Sequence, residues 1–211
     1  MHGIMLKRLG HNVQIMDQTL SSARADQAAG MGTGPQGLEF LEKHDLYTGP
    51  YSFHCPGFQF LNKNADVRRQ LSIPLNLTSW NVLYYRLRAN FDSFASSFCP
   101  DPPLNPGNEG MATYHVGKRA TRVMYSDRLV TVEFEDKIKG GGGSTQANLV
   151  IVADGAHSTI RQQLLPNVQH RYSEYVAWRG TVPEKEVSEA TRMLFDKRFN
   201  VYPMDQGYIV G

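Results

Sequence analysis

The chain of 211 residues holds only two cysteines, Cys55 and Cys99, and their positions give neither a metal nor a redox spacing. That argues against a disulfide-stapled scaffold and a cysteine-ligated metal; two free thiols are expected, with one bridge as the alternative. The seven histidines form no metal-ligand spacing either. No apolar run approaches the ~20 residues that a membrane-crossing helix needs, and the first residues carry no signal-peptide core. Neither sign of charge dominates: 22 basic and 20 acidic residues, well mixed, leave a net +2. There is thus no electrostatic case for nucleic acid or an acidic membrane surface. What remains is an ordinary globular composition, 41% hydrophobic and 20% charged, expected in the cytoplasm as one large domain or one and a half smaller ones.

The most informative stretch is LVIVADGAHSTIRQQLLP, Leu149 to Pro166. The apolar run Leu149 to Ala153 shows no polar alternation, which predicts a strand covered on both faces, as in a parallel sheet. It ends on Asp154-Gly155, and Ser158 is placed to cap a short helix that stops before Pro166. Ligands of parallel sheets bind beyond the carboxyl ends of the strands, so Asp154 would stand at such an edge. The alternative is a plain turn in which Asp and Gly suit the geometry.

At the start of the chain, HGIMLKRLG reads as a helix closed by Gly10, and HNVQIMDQ as a short strand closed by Asp17. Helix, glycine, strand and acid make up the second half of a dinucleotide-binding βαβ unit, where the acid accepts hydrogen bonds from a ribose. The glycine fingerprint of such a unit lies ~20 residues before the acid, which counts back past Met1; the chain is therefore expected to begin inside the first helix of that unit. An ordinary strand-end acid is the alternative for Asp17.

Gly30, Gly32, Gly34 and Gly37 predict a mobile loop entering the amphipathic helix GLEFLEKHDL. Such a loop lets backbone approach a flat cofactor, or is simply a loop; it lacks the Gly-Lys-Ser/Thr ending of a P-loop. Short β-type runs fill residues 50–78, and Leu83 to Phe94 reads as a second helix. Cys99 to Gly110 is a Pro-, Asn- and Gly-rich loop. MATYHV, RATRVMYS and RLVTVEFED predict three antiparallel strands, with KGGGGS as a turn leading directly into NLVIVADG.

In its order of elements and in ADGAHSTIRQQL, with Asp154, Gly155, Ser158, Arg161 and Leu164 in place, the chain resembles the FAD-dependent aromatic hydroxylases, the single-component flavoprotein monooxygenases. EYVAWRGTVPEKEVSEATRMLFDKRFNVYPMDQGYIVG, and YVAWRG at Tyr175 to Gly180 above all, is similar to the dihydroxypyridine monooxygenase subgroup. The resemblance covers essentially the whole chain but an internal part of a longer family member. It departs from the pattern in four places, the first being that the family's second signature, a Gly-Asp pair at the ribityl chain of the flavin, is expected to lie beyond Gly211. The GxGxxG loop is absent, Asp17 stands where Glu is frequent, and Gln18 follows where Arg or Lys is common.

The resemblance implies an α/β fold: a Rossmann-like FAD-binding domain with a parallel sheet and a β-meander, and the start of a β-rich substrate domain. Residues 1–170 would be a partial FAD-binding domain with substrate-domain segments around 48–80, and 171–211 the start of the substrate domain. It implies non-covalent FAD, held weakly or not at all by these residues alone, with NAD(P)H and molecular oxygen as co-substrates and a phenol or hydroxypyridine as substrate. Asp17 would hold the adenosine ribose. Asp154 would bond near the pyrophosphate and ribose, with Gly155 permitting close approach. Arg161 would add positive charge there or be a surface arginine. Arg24, Gly30 and Met31 would line the flavin face, and Trp178 and Arg179 would face the substrate, with a core position as the alternative for Trp178. No catalytic acid or base is implied. Two other readings stand beside this one: an FAD or NAD oxidoreductase that inserts no oxygen, and a non-catalytic fragment that keeps the fold.

Overall fold

The computed structural model describes residues 1–22, 29–104, 107–195 and 198–211; Arg24 lies outside them. Along the chain come α1 (His2–Arg8), β1 (Val13–Met16), β2 (Gly30–Thr33), α2 (Pro35–His44), β3 (Phe53–Cys55), β4 (Phe58–Leu61), β5 (Val67–Leu71), β6 (Leu75–Ser79) and α3 (Trp80–Asp92). They are followed by β7 (Ala112–His115), β8 (Lys118–Tyr125), β9 (Val130–Asp136), β10 (Gly142–Ala147), α4 (Thr159–Leu164), α5 (Glu189–Phe195), β11 (Phe199–Met204) and β12 (Gly207–Val210). The mixed α/β fold with parallel and antiparallel sheets is the class the sequence implies. No helix among the described residues is long and apolar enough to cross a membrane. Contacts divide the chain into two compact units, one of His2–Arg24 with Asn105–Ala177, the other of Ala25–Leu104 with Trp178–Gly211 and Met1.

In the first of these units, α1 ends where the pattern predicts, and Gly10 takes the left-handed conformation at φ +88° that suits a residue without Cβ. Lys7 and Arg8 in its last turn pair with the buried Glu109, Lys7 Nζ at 3.0 Å. β1 pairs in parallel with β7, Val13 opposite Ala112 and Met16 opposite His115. The expected first meander strand, MATYHV, is thus a parallel partner instead. The meander is β8–β9–β10, one strand later. Its last strand uses glycines that the sequence assigned to a turn: only Gly140 and Gly141 turn, at φ +76° and +82°, and Gly142 onward is strand. A Cβ at Gly143 would stand 2.9 Å from the Phe134 ring, so the missing side chain makes room for the cross-strand aromatic.

The run Leu149–Ala153 is not a strand. Leu149 is 63% exposed, Ile151 and Val152 are exposed as well, and only Val150 packs inward. An apolar run suits burial between strands but cannot supply the neighbouring backbone that a strand bonds to. Here β10 occupies the edge of β9, and the exposed edge of β8 is covered by a side chain: Gln163 accepts from the Val123 N–H at 3.0 Å and donates to its carbonyl at 2.7 Å. Ile160 of α4 packs on Val123 and Val132 to form the core of this unit, with Met16, Ala120, Val130 and Val150 around it.

In the other unit the glycines at 30–34 do not form a mobile loop. Gly30–Thr33 is a strand paired with β6, which also pairs with β3; Gly34 precedes α2, with Pro35 in its first turn. Backbone pairing satisfies these peptide groups, and glycine weakens a strand without forbidding it. α3 begins three residues before the predicted Leu83, because Ser79 Oγ caps it by accepting from the Val82 N–H at 3.2 Å. A second sheet runs β12–β11–β4–β5 and joins residues 58–71 to 199–210. After Tyr175 the chain enters this sheet at Phe199, where β11 pairs with β4. A buried ion pair, Arg86 with Asp45, ties α3 to the end of α2. Both cysteines are buried free thiols, and burial raises the Cys99 thiol pKa above its ordinary value.

Candidate functional site

The unit containing β1 and α4 brings several of the sequence-selected residues onto one scaffold. Met16, at the end of β1, and Val150, in the run before Asp154, pack on the cluster that holds Ile160. Asp17 and the Asp154–Gly155 turn therefore leave the same small core. Asp17 follows Met16 directly, and Asp154 lies four residues after Val150.

Asp17 sits at the carboxyl edge of the β1–β7 pair. Its N–H donates to the His115 carbonyl at 2.8 Å. Its carboxylate accepts from the Thr19 N–H on Oδ1 at 2.9 Å and from the Tyr114 hydroxyl on Oδ2 at 2.7 Å. Gln18 beside it accepts from Lys137 Nζ at 3.3 Å. Tyr114 and Lys137 were not selected from the sequence; the alternation of MATYHV carries Tyr114, but the parallel register that sets it against β1 is a long-range fact.

Beyond the exposed run, Val152, Asp154, Gly155, Ser158, Arg161, Leu164 and Leu165 line a shallow depression of about 240 Å³. Asp154 is exposed and, with no strand before it, stands on a turn and not at a sheet edge. Gly155 has φ +85° and open space where a Cβ would point. Ser158 caps α4 as predicted, its Oγ accepting from the Arg161 N–H at 2.8 Å. The Arg161 guanidinium donates to the Ala156 carbonyl and lies 2.7 Å from His170 Nε2, which needs the neutral, accepting face of that ring nitrogen. The His157 ring is 5.4 Å from that of His170. Arg161 is thus hydrogen-bonded within this turn. The polar groups suit a nucleotide: a carboxylate to accept from hydroxyls, a guanidinium to donate to phosphate, and a glycine that obstructs neither.

In the other unit, Gly30 has nothing within 4 Å of a would-be Cβ, and Met31, the next residue of the strand, is half-buried on its opposite face. Trp178 is 93% exposed and Arg179 is exposed. A second depression, lined by Leu61, Leu194, Phe195, Asn200, Tyr202 and Ile209 among others, is almost wholly apolar. Among the described residues no three His, Cys, Asp or Glu side chains gather as a metal site.

Residues 172–211 match the family model described as FAD binding domain-like. The chain is 31% identical, over 98% of its length, to 2,6-dihydroxypyridine 3-monooxygenase of Paenarthrobacter nicotinovorans, covering 46% of that protein. Its fold matches the solved 2,6-dihydroxypyridine-3-hydroxylase of Arthrobacter nicotinovorans with a TM-score of 0.75 at 20% identity, over 98% of this chain and 47% of that one. It also matches HpxO of Klebsiella pneumoniae, solved with FAD and uric acid, with a TM-score of 0.59 at 18% identity, over 93% of this chain and 51% of that one. The chain spans about half the length of the curated relatives it matches. It is homologous to 2,6-dihydroxypyridine 3-monooxygenase and 6-hydroxynicotinate 3-monooxygenase.

Proposed function

We propose that the protein is an FAD- and NAD(P)H-dependent monooxygenase that hydroxylates a phenol- or hydroxypyridine-type ring. The observation that carries this reading is the depression at Gly155. It joins a carboxylate, a guanidinium and an unobstructed glycine at φ +85°, beside an apolar core that also anchors Asp17. Bound FAD would supply the redox and oxygen chemistry, with NAD(P)H as electron donor and oxygen as co-substrate. Asp17 accepts hydrogen bonds from the adenosine ribose. Asp154 accepts near the pyrophosphate, Gly155 lets that group approach, and Arg161 offsets its charge. Gly30 and Met31 line the flavin face, where a strand of glycines presents bare backbone; Arg24 keeps the same role. Trp178 and Arg179 face the substrate, as exposed groups able to stack on and polarise a ring. The division into an FAD-binding part, residues 1–170, and a substrate part, residues 171–211 with segments around 48–80, belongs to this reading. The sheet shared by β4, β5, β11 and β12 supports it.

The test is turnover by the product of the full reading frame that contains these residues, given FAD, NAD(P)H and a panel of hydroxylated rings under labelled oxygen gas. Label in the ring product is the expected result. Asp154→Ala should weaken flavin binding by the worth of a charge-assisted hydrogen bond, ~1.5–3 kcal/mol. NAD(P)H consumption with bound FAD but no label in any ring would reject the oxygen-inserting reading.

A further inference from the structure

The sequence holds one Asp-Gly pair, Asp154–Gly155, and no Asn-Gly pair. An aspartyl carboxyl group is open to attack by the backbone nitrogen that follows it. A fold prevents this by tying the carboxylate, by engaging the attacking N–H, or by placing a side chain in the way. Asp136 is protected in the first two ways. Its carboxylate accepts from Lys118 Nζ and from the Ile138 and Lys139 N–H groups, each at 3.0 Å, and the nitrogen that would attack it, that of Lys137, donates to the Gly117 carbonyl at 2.8 Å. Asp154 has none of these protections among the described residues. Both members of the pair are exposed and lie outside any helix or strand. Neither the Asp154 carboxylate nor the Gly155 N–H bonds to a described residue. Gly155 has open space where a Cβ would point, and its φ of +85° is a conformation that glycine enters and leaves without steric cost. The anchors stand on either side of the pair and not at it. Val150 packs on the core before it, Ser158 caps α4 after it, and Arg161 donates to the Ala156 carbonyl.

We propose that Asp154–Gly155 is a modification site at which the folded protein isomerises to isoaspartate without an enzyme. The Gly155 nitrogen attacks Asp154 Cγ. A Cγ–N bond forms, a Cγ–O bond breaks, and the amide proton leaves with the carboxyl OH as water. The product is a five-membered imide. Water then adds back. When it breaks the bond between the nitrogen and the former main-chain carbonyl, the chain runs on through Cβ and Cγ and the free carboxylate sits on Cα. Nothing is oxidised or reduced, and water is the only co-reactant. The backbone gains one methylene and the charge moves, within the depression that Asp154 lines with Gly155, Ser158 and Arg161. The inference goes beyond the cofactor reading and needs only the geometry of this turn.

The purified chain is kept at neutral pH in oxygen-labelled water, beside the same chain unfolded in guanidinium chloride. Samples are then digested and mapped by chromatography and mass spectrometry. Each passage through the imide fixes one solvent oxygen, and electron-based fragmentation tells isoaspartate from aspartate at equal mass. Label and isoaspartate should gather at Asp154 in the folded chain at a rate comparable to that in the unfolded one, while Asp136 in the folded chain shows neither. Gly155→Ala should lose most of the label at Asp154, because the new Cβ crowds the attacking nitrogen. Asp154→Asn should pass through the same imide faster than the unaltered chain and lose its side-chain amide, since ammonia leaves more readily than water does from a carboxylate. Isoaspartate at Asp154 in the unfolded chain but not in the folded one would show that the turn shields the pair and would overturn the proposal. An Asp154→Asn chain that keeps its amide while folded would overturn it too, as would equal accumulation at Asp136.

Discussion

Replacing Ile160 with alanine tests whether one small core sets the geometry of the candidate site. Ile160 is 1% exposed and packs on Val123 and Val132. Buried Ile→Ala changes cost about 2–5 kcal/mol, more where the surroundings cannot relax. Here the fully buried part of the cluster is three residues and its rim, Met16, Ala120, Val130 and Val150, is half-buried and able to close in. The lower part of the range, about 2–3 kcal/mol, is therefore expected. That is a large share of the about 5–15 kcal/mol by which domains are stable. The local helix signals survive the change, since Ser158 still caps α4 and Gln163 still bonds to Val123. The loss should appear as a lower urea midpoint at an unchanged slope, and as faster hydrogen exchange across α4 and the Gly155 turn. Ile160→Val should cost only about 0.5–1.5 kcal/mol. A loss below about 1 kcal/mol for Ile160→Ala, with α4 amides as protected as before, would show that α4 is held in place by something other than this cluster.

Arg86→Met should destabilise by about 3–5 kcal/mol in urea unfolding, because it strands the buried Asp45 carboxylate and the Tyr47 carbonyl that the guanidinium serves. Adding Asp45→Leu should recover part of that loss. Gly155→Ala should cost about 1 kcal/mol through its φ of +85° alone, since no atom lies within 4 Å of the new Cβ, and it should weaken FAD binding by obstructing approach. The Asp136 carboxyl is held down to about 2, first by its hydrogen bond with Lys118 and then by the Lys139 N–H. A lowered folded-state value stabilises the fold above the unfolded value near 3.8 and loses that contribution as pH falls toward 2. Urea midpoints measured between pH 6 and pH 2 should therefore fall less steeply for Asp136→Asn than for the unaltered chain.

Local patterns settled much of this protein. α1 with its closing Gly10, the strand ending at Asp17, the helix after Pro35, the Ser158 cap and the paired strands of the meander all depend on residues a few positions apart, and period, capping chemistry and turn preference are local properties. The motif ADGAHSTIRQQL likewise marked the turn at which Asp154, Gly155, Ser158 and Arg161 line one depression. Tertiary structure alone decided which strands pair. Ala112–His115 looks like the first strand of a meander until its register with β1 makes it a parallel partner and sets Tyr114 against Asp17. Gly30–Thr33 looks like a loop until β6 supplies its hydrogen bonds. Leu149–Ala153 looks like a buried strand, yet no described strand pairs with it. The edge of β8 that could have offered a ladder is taken by the Gln163 side chain, 40 positions from Val123. A strand exists only with a neighbour, and which neighbour arrives is decided by contacts far apart in sequence, which no local pattern encodes.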